Sequence, residues 1–312
     1  MNTFHDSDGA GSDNSSMSVA DAVEAVAASV VGLGTRRRGL AAGVVWKPGM
    51  VVTTASAVGH AQEVQVIQPD GETAPGRVRG TDPATDLAVI ALENERLRTA
   101  VRRVDSAVRV GDFVFAAGRE ASGMLHASFG RIGATGGAWR TWGGGAVDRL
   151  VRLDGGLYPG LAGAPVADAR GQVIGVASPA LSRHHGMVLP VATVDRVSEV
   201  LWKHGRVTHG FLGIVAQPVA VPAGVRANAP DLPEVGLLVT GVADDAPAAR
   251  AGVMVGDILL ALGGRPIHDI ASLREVLGAE QIGTRMRLQL LRGGQAMELT
   301  VEVAERQTAS RC

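Results

Sequence analysis

The sequence has one cysteine, Cys312, and no long apolar run. A lone cysteine cannot form a disulfide within the chain, so cysteine usage indicates no redox compartment. No stretch reaches the roughly 18 consecutive apolar residues that cross a bilayer. The first residues also lack the basic segment and the apolar core of a signal peptide. As written, the sequence predicts a cytoplasmic protein without a membrane span, or a periplasmic one if further residues precede Met1.

An excess of one charge is also missing, because 30 basic and 31 acidic residues leave a net charge of −1. Broad electrostatic binding to nucleic acid or to an anionic membrane requires a strongly basic surface, so neither is an expected partner. The consecutive arginines at 36–38 are either an anion site or, as we favour, a solvated loop. His184 and His185 are adjacent and lack a third spaced ligand, so we expect no metal and no other cofactor.

The composition is typical of a globular protein, with 46% hydrophobic and 20% charged residues over 312 positions. The 42 glycines and the short apolar runs between them are typical of many strands joined by tight turns. We therefore predict an all-β fold. Among the first 204 residues, helical spacing is confined to residues 19–27, which follow Ser18 as a candidate N-cap, and to residues 192–204.

The candidate strands of this region begin at 29–33. A hairpin follows over residues 39–46 and 50–58, and its second strand ends in a small-residue turn. Another strand is expected at 63–67, and a buried strand follows Asp86. A further strand at 127–135 contains a break at Gly130. A carboxylate directly before a buried strand is usually a turn or capping residue, so Asp86 alone indicates no chemistry.

A small-residue loop, YPGLAGAP at 158–165, separates two candidate strands. Loops of this composition are most often tight connections. This one also has the outline of a serine-protease turn, in which backbone N–H groups stabilise an oxyanion beside the nucleophile. The N–H groups of Gly160 and Ala162 are the candidates for that role, but Ala162 carries a methyl group and no attacking atom.

Three motifs in the order TTASAV (53–58), TDLAV (85–89) and GLAGAP (160–165) together resemble the HtrA (Deg) family of serine proteases. In that family the corresponding segments supply the general base, the orienting aspartate and the nucleophile. The resemblance covers about residues 20–305. It implies a chymotrypsin-like double β-barrel followed by a PDZ domain, a small β-sandwich with helices.

By this resemblance Ser56 stands at the position of the general base, Asp86 at that of the orienting aspartate and Ala162 at that of the nucleophile. A serine hydroxyl does not accept a proton near neutral pH as an imidazole does. An alanine cannot form an acyl-enzyme. Asp86 is then the only retained triad member, with the N–H of Gly160 as a vestige of the oxyanion hole. The sequence predicts a pseudoprotease that binds polypeptides as an adaptor, a chaperone-like holdase or a regulatory subunit.

Two alternatives stay open at this point. The chain would be an active endopeptidase in protein quality control if His60, one helical turn after Ser56, replaced the base. Ser178 or Ser182 would have to replace the nucleophile, although both lack a glycine-rich turn. The second alternative is a purely structural role, in which the PDZ groove stays empty.

The segment HGFLGI at 209–214 matches the PDZ loop whose backbone N–H groups hold a peptide C-terminus while the peptide adds as a strand. A glycine inside this segment permits the backbone to turn around a carboxylate. A helix at 272–277 is expected to line the groove. The resemblance implies protein C-termini as ligands, and a homotrimer or a hetero-oligomer with an active HtrA paralogue. It assigns peptide binding to Gly210, Phe211, Leu212, Gly213 and Ile214.

The predicted organisation has five parts. Residues 1–17 are polar and without periodicity, which predicts a disordered tail. A degenerate trypsin-like domain follows at 18–204 and a short linker at 205–208. The PDZ domain occupies 209–305, and 306–312 form a C-terminal tail.

Overall fold

The computed structural model of the protein describes residues 18–35, 39–103, 108–182, 184–208, 210–228, 232–278 and 281–305. The predictions for the tails at 1–17 and 306–312, for the arginines at 36–38 and for His209 concern residues outside this set. Within it, no helix combines the length and the apolarity that crossing a membrane requires. The chain divides into two compact units, Met1–Trp139 with Ala146–Lys203, and Arg140–Gly145 with His204–Cys312.

Most elements before residue 205 are strands. The helices are α1 Val19–Ala27, the one-turn α2 Ala55–Val58 and α3 Val191–His204, with a 3-10 turn at Pro179–Leu181. The strands are β1 Val30–Thr35, β2 Gly39–Lys47, β3 Met50–Thr54, β4 Glu63–Ile67, β5 Thr73–Asp82, β6 Leu87–Ala91, β7 Phe113–Arg119, β8 Leu125–Gly136, β9 Trp139–Arg140, β10 Ala146–Val147, β11 Leu150–Leu153, β12 Pro165–Asp168, β13 Val173–Ser178 and β14 Met187–Pro190.

Helix α1 begins where the sequence predicts it. The Ser18 hydroxyl accepts a hydrogen bond from Asp21 N at 3.1 Å, and the Asp21 carboxylate accepts one from Ser18 N at 2.9 Å. This reciprocal pair is a capping box, which satisfies two backbone donors that the first turn leaves without partners. The apolar positions Ala22 and Val26 are buried, so the spacing read from the sequence corresponds to the packed face.

The strands of the first unit form two closed barrels, in the orders β1-β2-β3-β6-β5-β4 and β11-β14-β13-β12-β7-β8. Each barrel encloses its own apolar core. Val31 and Ile90 belong to the first core, and Ile132 and Val166 belong to the second. Since period-2 alternation places every second side chain inside a barrel, these cores follow from the strand patterns. The expected all-β double barrel is confirmed.

The second unit is a small sheet flanked by short helices. Its elements are β15 Gly210–Phe211, β16 Ile214–Ala220, α4 Ala223–Asn228, β17 Val235–Val242, α5 Pro247–Arg250, β18 Ile258–Leu262, β19 Arg265–Pro266, α6 Ile270–Val276, β20 Arg285–Arg292, β21 Gln295–Glu302 and β22 Ala304–Glu305. The main sheet has the order β16-β17-β18-β20-β21, so β16 lies at an edge. Leu273 and Val276 of α6 pack into the same core as Leu259 and Leu288 of the sheet.

An ion pair between the buried carboxylate of Asp257 and the partly exposed Arg292 stabilises this second unit. Asp257 is 1% exposed, and both of its carboxylate oxygens accept hydrogen bonds at 2.8 Å from Arg292, through Nε and Nη2. Met254 N donates a further bond of 2.8 Å. Burial opposes ionisation, but the hydrogen bonds and the charge of Arg292 outweigh it and hold the pKa of Asp257 below its ordinary value.

The local predictions differ from the structure in detail. Strand β3 ends at Thr54, because Ala55 N bonds to the carbonyl of Asp86, and the small-residue turn expected after it is the one-turn helix α2. Strand β5 is absent from the sequence prediction, since Pro75 and two glycines interrupt its apolar pattern. Gly130 does not break β8, where it pairs with Val114 in an unbroken register.

Candidate functional site

A tight turn between β5 and β6 positions Asp86. The carboxylate of Asp82 accepts hydrogen bonds from Ala84 N at 3.1 Å and from the Thr85 hydroxyl at 2.6 Å. Such bonds fold the chain back on itself and compete with strand pairing. Asp86 then adopts a left-handed backbone conformation with φ of 59°, which is uncommon for a residue other than glycine. The turn therefore directs this carboxyl group into the first unit, where it is 5% exposed.

The Asp86 carboxylate lies between elements of both barrels. Ser56, at the start of α2, donates its backbone N–H to Oδ1 at 2.8 Å and its hydroxyl to Oδ2 at 3.2 Å. Ser178, the last residue of β13, donates its hydroxyl to Oδ2 at 2.6 Å. The structure thus brings the predicted Ser56 and Asp86 into direct contact. It adds a third group, Ser178, whose role the sequence did not reveal.

Burial raises the pKa of Asp86 above its ordinary value of 3.8. The hydrogen bonds from Ser178 and Ser56 oppose this shift, because they favour the charged form, and nearby Asp82 adds to it. Loss of solvation is the larger effect. The folded protein therefore binds a proton at Asp86 more readily than the unfolded chain does.

We expect Asp86→Asn to raise the free energy of unfolding at neutral pH, because burial disfavours the charged carboxylate. The amide keeps the shape of the side chain and removes a buried charge. Since folding raises the pKa of Asp86, the wild-type carboxyl contributes stability that is full below about 3.8 and is lost as pH rises through the folded-state pKa. Thermal unfolding of both proteins between about pH 3.5 and about pH 8 measures the difference, which should grow with pH. A stability difference between the two proteins that does not change with pH would contradict the assignment of the effect to the charge of Asp86.

Ser178, considered above as a replacement nucleophile, lies inside the protein. It is completely buried, and its hydroxyl is engaged by the Asp86 carboxylate at 2.6 Å. The one sequence signal for this contact is a polar residue closing a strand of otherwise apolar or glycine positions, directly before Pro179. That signal does not name the partner, because the two residues are 92 positions apart.

The other residues considered as replacements lie elsewhere. His60 is exposed and follows the turn that ends α2. Ser182 follows the 3-10 turn in an extended conformation, and its hydroxyl accepts hydrogen bonds from His184 N at 3.3 Å and His185 N at 3.2 Å. Both histidines are exposed. Among the described residues, no group of three or more histidine, cysteine and acidic side chains could hold a metal ion.

Backbone hydrogen bonds join the loop at 160–165 to both barrels. Ala42 N donates to the carbonyl of Ala162 at 2.9 Å, and Gly163 N donates to Ala177 O at 2.9 Å. A methyl group on Gly163 would overlap the Thr53 hydroxyl and the Ala42 carbonyl, and φ there is +82°. Only glycine fits such a position. The glycine after the nucleophile position is therefore required by the close approach of the two barrels, independently of chemistry.

Two backbone donors of this loop remain available. In the part of the chain that the structure describes, neither Gly160 N nor Ala162 N donates a hydrogen bond to another protein group. Gly160 has a φ of +87°, again a conformation that suits glycine. The Ala162 methyl group packs against the core of the first barrel. The loop thus offers N–H groups to a ligand oxygen and presents a hydrocarbon where a hydroxyl would be needed.

The second unit contains a groove of about 360 Å³. It is lined by the edge strand β16, helix α6, the segment Phe211–Ile214, and Gly143 and Gly144. Within the described residues, the N–H groups of Leu212 and Gly213 donate to no protein acceptor. A side chain at Gly213 would overlap Ala246, and φ there is +79°, so the turn requires glycine. The five residues predicted to bind a peptide all line this groove.

Comparison with known proteins supports two domains in this order. Residues 41–176 match the family model described as a trypsin-like peptidase domain. Residues 210–303 match the model of a PDZ domain. The first match contains Ser56, Asp86 and Ala162, and the second contains the groove residues of β16, α6 and the segment Phe211–Ile214.

Curated relatives include serine proteases of several bacteria. HhoA of Synechocystis sp., named a serine protease, is 32% identical over 275 residues, which cover 84% of this chain and 69% of that protein. DegP-like proteins named periplasmic serine endoproteases are 31% identical in Chlamydia trachomatis and 30% identical in Pseudomonas putida. These alignments cover 84% and 83% of this chain, but only 53% and 54% of the relatives. The chain therefore spans about half the length of the DegP-like relatives.

Solved structures agree with the fold. The HtrA-type protease AlgW with tripeptide superposes with a TM-score of 0.73 at 27% identity, covering 93% of this chain and 98% of AlgW. The serine endoprotease from Yersinia pestis gives a TM-score of 0.76 at 25% identity over the same shares. The order of the two domains, the closed barrels and the level of identity to HhoA lead to one assignment. The chain belongs to the HtrA/DegP family of trypsin-like serine proteases with a C-terminal PDZ domain.

Proposed function

We propose that this chain is a proteolytically inactive member of its family, which binds polypeptide C-termini through its PDZ groove as an adaptor, a chaperone-like protein or a regulatory subunit. One observation carries the proposal. Ser56 occupies the position of the general base, and its hydroxyl lies 3.2 Å from the Asp86 carboxylate. The hydroxyl of Ser178 donates to the same carboxylate at 2.6 Å. Residue 162, at the position of the nucleophile, ends in a methyl group.

The chemistry of acyl transfer explains why these two side chains matter. The base must take a proton from the nucleophile near neutral pH, which an imidazole does and an aliphatic hydroxyl does not. The nucleophile must form a covalent bond to the carbonyl carbon, for which Ala162 has no atom with a lone pair. His60 is exposed, and Ser178 is buried against Asp86. These placements favour binding over cleavage.

The groove supports peptide binding. An edge strand offers unpaired backbone groups to an incoming strand, and free N–H groups at its end suit a terminal carboxylate. Strand β16 is such an edge, and Leu212 and Gly213 supply such N–H groups. A relative, AlgW, has been solved with a tripeptide, which favours the same kind of ligand here.

A fluorophosphonate probe and an unfolded casein test the proposal directly. We expect the purified chain to show neither covalent labelling nor cleavage above a buffer blank, while a fluorescent peptide with a free aliphatic C-terminus binds and its amidated form does not. An active HtrA relative serves as the positive control. Labelling that disappears when one particular serine is replaced by alanine would establish the endopeptidase instead. A chain without C-terminal preference in peptide binding would indicate the purely structural role.

Assembly and location complete the proposal. The resemblance implies a homotrimer or a hetero-oligomer with an active paralogue, and native mass spectrometry of the chain alone and mixed with a paralogue distinguishes these states. The names of the DegP-like relatives favour the periplasmic location over the cytoplasmic one. Fractionation of cells that express the native gene tests this choice, and recovery in the cytoplasmic fraction would oppose it.

A further inference from the structure

One cationic side chain stands in the wall of the peptide groove. The wall otherwise consists of backbone and apolar side chains, including Ile270, Leu273 and Leu277 beside α6. Arg274 of the same helix also lines it. In the described part of the chain Arg274 makes no ion pair, and its Nη1 donates to the carbonyl of Trp142 at 3.1 Å. Since a guanidinium carries five N–H donors, most of them are available to a ligand.

The position of the loop fixes the direction of a bound peptide. Gly210 N donates to the carbonyl of Leu277 at 3.0 Å, so the C-terminal end of α6 lies beside the segment that would hold the carboxylate. The last residue of a peptide is therefore close to Leu277 and Leu273. Residues further upstream pass along α6 towards Ile270, because an added strand runs antiparallel to β16.

Helix and strand geometry place Arg274 opposite one ligand position. Arg274 precedes Leu277 by three residues, which is about 4.5 Å along a helix axis. An extended peptide advances about 3.3 Å per residue, and its side chains alternate between faces. With the last side chain against Leu273 and Leu277, alternation turns the penultimate side chain away from the helix and returns the third from last to it, about 6.6 Å upstream. A guanidinium on a long flexible side chain covers the remaining distance.

We propose that Arg274 makes this groove select C-termini with a carboxylate side chain at the third position from the end and an aliphatic last residue. The inference rests on the proposed function, because it concerns the ligand of the same groove. A carboxylate matches the planar donor fork of arginine and neutralises a charge that has no acidic partner in the groove. A cationic residue at that ligand position is disfavoured by like-charge repulsion.

Binding of three short peptides that end in Asp-Ala-Val, Ala-Ala-Val or Lys-Ala-Val tests the selection on the full chain by fluorescence anisotropy. We expect the aspartate peptide to bind about five- to tenfold more tightly than the alanine peptide, as suits a partly exposed charge-assisted pair. The lysine peptide is expected to bind more weakly than both. The preference should fall as salt is added, because exposed charges are screened.

Variants separate this selection from binding itself. Arg274→Ala should remove the preference, so that the aspartate, alanine and lysine peptides bind with similar affinities, and Arg274→Glu should favour the lysine peptide. Arg287→Ala is the matched control, since it removes an equal charge from an exposed pair with Glu298 on the sheet, outside the groove. If the unchanged chain binds the three peptides with equal affinity, Arg274 does not select the ligand. If the unchanged chain binds none of them, the proposed function is wrong, and the inference with it.

Discussion

Changing Ser56 to histidine and Ala162 to serine in the same chain is expected to give proteolytic activity that neither change gives alone. The base and the nucleophile of a serine-protease triad act as a unit, and loss of either costs about a million-fold in turnover. Each single variant therefore stays at background. The double variant is expected to exceed the unchanged chain by at least about a thousand-fold in casein cleavage, and to be labelled by fluorophosphonate.

The geometry around Asp86 is the reason for this expectation. Its Oδ2 lies 3.2 Å from the Ser56 hydroxyl, so an imidazole introduced at position 56 starts within reach of the carboxylate that would orient it. Ser178 and the backbone N–H of Ser56 already hold that carboxylate in place. The N–H groups of Gly160 and Ala162 have no protein acceptor among the described residues, which leaves them for an oxyanion.

Adding Asp86→Asn to the double variant is the control. It is expected to lower turnover by about ten-thousand-fold, because the amide holds the imidazole in the wrong tautomer. Circular dichroism and binding of a C-terminal peptide confirm that each variant is folded. A double variant that folds and binds peptide but cleaves no casein would contradict the expectation. The site would then lack catalytic features besides the side chains at positions 56 and 162.

Replacing Arg292 with methionine is expected to loosen the second unit severely. The change leaves the Asp257 carboxylate, 1% exposed, without the two hydrogen bonds that offset its burial. Breaking a buried pair from one side is strongly destabilising. Hydrogen exchange followed by mass spectrometry should show amides of β17, β18 and β20 exchanging at least about a hundredfold faster near neutral pH.

The pH dependence of hydrogen exchange and two further variants test whether loss of the Arg292–Asp257 pair causes the faster exchange. Because folding lowers the pKa of Asp257, its stabilisation is present above the unfolded-state pKa and is lost as pH falls through the folded-state pKa. The effect of Arg292→Met should therefore shrink in acid. Adding Asp257→Asn should recover part of the loss. Arg285→Met breaks an exposed pair with Glu302 and should change exchange less than about fivefold; an equal effect of both arginine variants would rule out the buried pair as the cause.

Strand alternation and turn residues predicted an all-β fold, because they are local signals. The double barrel, the PDZ sheet and the contact between Ser56 and Asp86 were predicted only through the family resemblance. The sequence did not predict the hydrogen bond from Ser178 to Asp86, because the two residues are 92 positions apart. No local pattern encodes such a contact, which arises when the two barrels close against each other.

The local errors have a common origin. Strand β5 forms despite Pro75 and Gly76, because pairing with β4 and β6 decides the outcome more than intrinsic preference does. The helix at Ala55–Val58 forms because the carboxylate and carbonyl of Asp86 capture the N–H groups of Ser56 and Ala55. In both cases a partner distant in sequence overrides the local pattern.

The loop at 160–165 is anchored by main-chain atoms, through Ala42 N to Ala162 O and through Gly163 N to Ala177 O. None of these bonds uses the side chain at position 56 or 162. The backbone conformation of the loop therefore does not depend on which side chains stand at positions 56 and 162. A protease and a peptide-binding protein with this fold can differ by a few point substitutions and keep the same backbone structure.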